Sequence, residues 1–152
     1  MKISINNAIV KYNLLNCVKY SDGEDYTLPR DLKIKIIRLK INFEKVFKEF
    51  NQYQTKAIEE IKTPRYIELL NKKERTPEEE EEAKKLLEEM NQDLRNILTQ
   101  KSQEIVDVNF DYFSEDEFNS FLEININNSV EINGVKLPAE EYVMLFHTEF
   151  VK

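Results

Sequence analysis

Several oxygen-bearing side chains near the start of the C-terminal third have the spacing of calcium ligands. The first, third, fifth and ninth positions of a calcium-binding loop are matched by Asp107, Asn109, Asp111 and Glu115. The same loop needs Gly at its sixth position and a bidentate Glu at its twelfth, where this chain has Tyr112 and Phe118. The pattern therefore favours the solvated face of a strand over a calcium site.

The residues that usually perform catalysis are scarce. His147 is the only histidine and Cys17 the only cysteine, so a zinc site would need carboxylates for its remaining ligands. A single histidine also gives little support for a nucleophile paired with a base. Gly23 and Gly134 are far apart and cannot form a glycine-rich phosphate loop. We therefore expect no enzymatic activity, no metal and no other cofactor.

Charge is distributed unevenly along the chain. The net charge of the 152 residues is −7, but residues 105–152 carry 10 acidic and only 2 basic groups, a net charge of −8. This segment would repel phosphates, so direct binding to nucleic acid is not expected. No apolar stretch approaches the roughly 18 residues that cross a membrane, and an export signal is not apparent, so we expect a cytoplasmic protein.

The elements that position these side chains are predicted to be mainly helical, since the chain has only two Gly and four Pro. Pro29 is suited to the first turn of a helix. After it, apolar residues recur at spacings of four and three over more than three heptads. These residues are Leu32, Ile36, Leu39, Phe43, Val46, Phe50, Tyr53 and Ala57. The pattern predicts a helix from Pro29 to about Lys62.

A second long helix is predicted after residue 76. Thr76 and Glu79 have the spacing of a capping box, and Pro77 occupies the first helical position. Heptad spacing then continues through Ala83, Leu87, Met90, Leu94 and Ile97. With a short helical connector after Thr63, the two helices should fold back on each other. We therefore predict an antiparallel helical hairpin over residues 29–104.

The two ends of the chain are predicted to add small elements. Residues 2–5 alternate as in a strand, and a helix is expected over about 8–19, capped by Asn6 or Asn7. A turn is predicted over residues 21–25 because Gly and Asp favour turns.

The segment 105–152 is predicted to be a small α+β cap. Alternating apolar residues predict a strand over 106–112, and Ser114 with Glu117 predicts the start of a helix. Short strands are expected at 124–126, 130–132 and 135–137, with Asn133-Gly134 as the turn, before a terminal helix that Pro138 opens. The fold class is therefore mainly α (α+β), as a single domain over 1–152 with segments 1–28, 29–104 and 105–152.

Several stretches resemble a family of small proteins of unknown function from tailed bacteriophages. The resemblance is carried by Met1-Lys2-Ile3, by Leu28-Pro29 opening a Lys-rich helix through Phe43 and Phe50, and by residues 121–126 followed by 135–140. It covers most of the chain. It implies phage origin, a location in the host cytoplasm or the virion, and a role without known catalytic residues.

Two functional hypotheses remain open. The apolar stripe is wider than one antiparallel partner can cover, and the residues outside the main seam are Ile34, Ile37, Phe47, Ile58 and Ile61. Exposed apolar surface usually marks an interface, which favours a structural or assembly protein that binds a protein partner or itself. The alternative is an acidic inhibitor or decoy of a host nucleic-acid enzyme. That hypothesis requires a shared face for Asp107, Asp111, Asp116, Glu117 and Glu123.

Overall fold

Helices form most of the fold, as the composition predicts. The computed structural model describes residues 1–23 and 26–152. Within them lie six helices: α1 (Ile5–Asn16), α2 (Arg30–Ile61), α3 (Pro64–Asn71), α4 (Pro77–Ser102), α5 (Glu115–Asn125) and α6 (Ala139–Phe150). The predicted fold class, mainly α with small strand elements, is confirmed.

The strands are short and form antiparallel pairs. Their bounds in the described residues are β1 (Lys2–Ser4), β2 (Ser21–Asp22), β3 (Tyr26–Thr27), β4 (Ile105–Asp107), β5 (Val130–Ile132) and β6 (Val135–Leu137). Strand β1 pairs with β4, with Ile3 opposite Val106. Strands β2 and β3 form one hairpin, and β5 and β6 form another.

The chain divides into two compact units, and the boundary between them falls inside α2. Unit 1 contains Met1–Phe47 and Ile105–Lys152, and unit 2 contains Lys48–Glu104. The segment 29–104, predicted as one hairpin, is thus shared between the units. The N-terminal half of α2 packs in unit 1 and only its C-terminal half accompanies α4. The prediction of a single domain remains a prediction.

Unit 1 is built around aromatic side chains. Phe43, on the heptad stripe of α2, is fully buried and its ring centroid lies 5.9 Å from that of Phe110. On α5 and α6, the rings of Phe121 and Phe146 stack 3.9 Å apart. The buried hydroxyl of Tyr142 donates a 2.7 Å hydrogen bond to the carbonyl of Leu14, which joins α6 to α1.

Unit 2 is a three-helix arrangement in which α3 and α4 run antiparallel. The guanidinium of Arg65 donates two 2.9 Å hydrogen bonds to the carboxylate of Glu82. The ammonium of Lys101 near the end of α4 lies 4.8 Å from the ring centroid of Tyr53 in α2. The predicted capping box at Thr76 is confirmed, with both hydrogen bonds between Thr76 and Glu79 present.

Three local predictions were wrong. The strand predicted over 106–112 ends at Asp107, because its partner β1 pairs with it only over Lys2–Ser4. Helix α1 begins at Ile5 rather than about residue 8, because Ser4 and not Asn6 or Asn7 accepts the capping hydrogen bond. Residues 124–126, predicted as a strand, belong to α5 and its C-terminal cap. The alternation of two isoleucines around Asn125 is also compatible with a helix, because residues 121, 124 and 125 share its buried side.

The predicted turn at Asn133-Gly134 is confirmed. Both residues have positive φ, 51° and 79°, as the favoured two-residue hairpin turn requires. In the predicted turn over 21–25, Gly23 also has a positive φ of 75°. The predicted positions 24 and 25 lie outside the described residues.

Candidate protein-binding surface

Helix α2 exposes a row of isoleucines on the side opposite its buried stripe. Ile34, Ile37 and Ile41 follow each other at spacings of three and four, which places them on one helical face. Their side chains are 37%, 47% and 59% exposed, whereas Ile36 and Leu39 between them are buried. We call this row, with Arg38 and Lys45 beside it, the outer face of α2. Helical geometry places all five on about three successive turns.

The five residues predicted as an interface do not share one environment. Ile34 and Ile37 lie on the outer face of α2. Phe47 is half-buried, with its ring centroid 4.8 Å from that of Tyr12 on α1. Ile58 and Ile61 are half-buried in unit 2.

Ile41, the most exposed member of the row, was missing from the predicted set. It lies seven residues after Ile34, so the heptad spacing that identified the buried stripe would also have identified it. The predicted set was interpreted as flanking the buried stripe, but Ile34 and Ile37, like Ile41, lie on the opposite side of the helix.

Polar contacts fix the segment 109–113 beside this face. The ammonium of Lys35 donates to the Tyr112 carbonyl at 2.7 Å and to Glu117 at 3.0 Å, and lies 4.7 Å from the ring centroid of Phe113. The side-chain amide of Asn42 donates a 2.9 Å hydrogen bond to the carbonyl of Asn109. These contacts hold the irregular chain after β4 against α2.

A half-open groove of about 530 Å³ lies between α2 and this segment. Its lining combines the apolar side chains of Ile34 and Leu39 with both signs of charge, since Arg38 and Asp111 both contribute. Glu117 nearby stays ionised at neutral pH. Its burial opposes ionisation, but hydrogen bonds from the backbone of Ser114 and from Lys35 outweigh this and lower the pKa of Glu117. The groove adjoins the outer face of α2, because Ile34 and Arg38 belong to both.

The outer face of α2 is basic. Arg38 and Lys45 are exposed there, as is Arg30 one turn before Ile34, and none of them forms an ion pair with another described residue. Asp31 and Asp111 line the groove together with Arg38, whereas Lys45 is not part of the groove lining. An apolar row edged by unpaired cations favours a partner that is itself apolar and acidic.

The candidate catalytic residues are placed apart from this surface. Cys17 is the C-terminal capping residue of α1, and burial raises the pKa of its thiol, so the unreactive protonated form dominates at neutral pH. His147 lies on α6 with Nε2 3.3 Å from Glu115, and its ring contacts Phe118. Within the described residues, no hydrogen bond joins Cys17 to His147.

The acidic residues of the decoy hypothesis are divided among several elements. Asp107 lies in β4, and Asp111 lines the same groove as Arg38. Glu117 is bound by Lys35, whereas Asp116 and Glu123 are seven residues apart on the exposed side of α5. In residues 1–23 and 26–152, no group of three or more His, Cys, Asp or Glu side chains could hold a metal.

No protein-family model, curated protein or solved structure matches the chain. In the part of the chain that the structure describes, no helix has the length and apolar character needed to span a bilayer.

Proposed function

We propose that this protein is a non-enzymatic interaction protein that binds a protein partner or another copy of itself through the outer face of α2. The observation that supports this is the row of Ile34, Ile37 and Ile41, because three exposed isoleucines on successive turns of one helix form a contiguous apolar strip. Such a strip, edged by cations, resembles the core and rim of a protein interface. We also propose that the protein does not bind nucleic acid directly.

The sequence resemblance suggests the biological setting. We propose a structural or assembly accessory protein of a tailed bacteriophage, acting in the host cytoplasm or in the virion. The acidic decoy of a host nucleic-acid enzyme remains the alternative. It has less support, because Lys35 already neutralises Glu117, one of its five acidic residues.

The test compares two glutamate substitutions at positions of nearly equal exposure. Ile41 is 59% exposed on α2, and Val135 is 60% exposed on β6, outside the outer face of α2. Tagged wild type, Ile41→Glu and Val135→Glu are each assayed for self-association by sedimentation and for partner recovery from host cells. We expect Ile41→Glu alone to lose binding, since a buried charge at an interface is costly. Equal binding by all three proteins would contradict the proposal.

A further inference from the structure

A second helix in unit 1 also exposes apolar side chains, and its charge is opposite to that of α2. On α6, Tyr142, Val143 and Phe146 face the core, whereas Met144 is 62% and Leu145 is 36% exposed. We call the row of Glu141, Met144, Leu145 and Thr148 the outer face of α6. Exposed methionine is common on protein-binding surfaces because its flexible side chain adapts to a partner.

The two outer faces match in spacing. The outer face of α6 uses positions 141, 144, 145 and 148, and that of α2 uses positions 34, 37, 38 and 41. Both follow the same i, i+3, i+4, i+7 pattern over two helical turns. Such rows form ridges that can pack into the grooves of a facing helix.

The two faces also match in charge. Residues 138–151 contain no Lys or Arg, and Glu140 and Glu141 are exposed at the start of α6. Glu149 on the same helix is already engaged by Lys11 at 2.8 Å. The outer face of α6 therefore presents acidic groups beside its apolar row, which complement Arg38 and Lys45.

Other pairings between copies fit less well. Packing α2 of one copy against α2 of another would place Arg38 and Lys45 beside the same cations, and like charges at an interface are unfavourable. The groove between α3 and α4 has an apolar lining, but its charges cancel because it contains Arg75 and Lys84 as well as Glu80 and Glu81.

We propose that the occupant of the outer face of α2 is the outer face of α6 from a second copy of this chain. This inference rests on the proposed function and names the partner of the same site. The contact is between different surfaces, so copies pair either through two equivalent α2–α6 contacts or in a head-to-tail series.

Complementation between two charge-reversed variants tests the proposal. Arg38→Glu with Lys45→Glu makes both outer faces acidic, and Glu141→Lys with Thr148→Lys makes both basic. Each double variant alone should self-associate about threefold to tenfold more weakly than wild type. This is the effect expected when exposed ion pairs are lost and repulsion is added. An equimolar mixture should associate again, because each contact then joins opposite charges.

Sedimentation equilibrium of the full chain measures all four samples, and circular dichroism checks that each variant is folded. If the basic variant unfolds, Met144→Lys replaces it, since that side chain is largely exposed. Monomeric wild type, unweakened variants, or a mixture that fails to associate would each overturn the pairing. The proposed function fails separately, if Ile41→Glu changes neither self-association nor partner binding.

Discussion

Asn125 offers a sharp test of how unit 1 is held together. This fully buried amide satisfies both of its polar atoms. Its oxygen accepts from the Lys19 backbone N–H at 2.9 Å and from Asn128 at 2.9 Å. Its nitrogen donates to the carbonyls of Lys19 and Phe121, each at 3.0 Å. One side chain thus fastens the loop after α1 to α5.

The change Asn125→Asp keeps the shape of the side chain but replaces the donating nitrogen with an oxygen. The carbonyls of Lys19 and Phe121 then lose their donor, at about 1–3 kcal/mol each. Burial of the new charge adds to this. We expect the free energy of unfolding to fall by about 3–6 kcal/mol at pH 7.

Urea unfolding followed by circular dichroism measures this loss, with Asn127→Asp as the control because that neighbour is exposed. Burial should raise the pKa of the carboxyl introduced by Asn125→Asp in the folded state. The penalty should therefore be complete above the folded pKa and diminish as pH falls through it toward about 3.9, the ordinary value. Equal stability of the two variants at pH 7 would refute the role assigned to Asn125.

Three further predictions concern the core of unit 1 and the helix start in unit 2. Phe43→Ala should lower the free energy of unfolding by about 3–5 kcal/mol, and wild-type stability would contradict its placement in the core. Thr76→Ala should lower it by about 0.5–2 kcal/mol, and hydrogen exchange should speed up in the first turn of α4. The carboxylate of Glu79, held by the ammonium of Lys72 and the backbone of Thr76, should titrate with a pKa of about 2 instead of 4.5. Because this folded pKa is lowered, its stabilising contribution should be full above pH 4.5 and decline toward about 2. A carboxyl shift measured by NMR that titrates near 4.5 would contradict this contact.

Features determined by neighbouring residues could be predicted from the sequence. Pro29 and the heptad stripe predicted α2 to within one residue at each end. The capping box at Thr76 and the Asn133-Gly134 turn were also predicted correctly, because each depends on short-range backbone chemistry.

Features that depend on distant residues could not be predicted in the same way. A heptad stripe indicates that one side of a helix is buried, but not which element covers it. For the N-terminal half of α2 that cover includes Phe110, which is 67 residues after Phe43. The network of Asn125 likewise depends on Lys19, 106 residues away. The exposed row of Met144 and Leu145 on α6 was missed as well, because which side of α6 is buried depends on contacts with distant residues such as Leu14.

The contrast between Phe47 and Ile41 shows why the width of an apolar stripe does not identify an interface. Both are large apolar residues of α2, but Phe47 packs on Tyr12 whereas Ile41 is mostly exposed. We therefore expect Phe47→Glu to destabilise unit 1, since it places a charge in a half-buried aromatic contact. Ile41→Glu should leave the melting temperature within a few degrees of wild type and reduce only binding, as substitutions of exposed side chains usually change stability little. Thermal melts of both variants beside sedimentation separate the two effects. If Phe47→Glu melts like wild type and loses association, then the interface extends along α2 to Phe47 and its contact with Tyr12 contributes little to the fold.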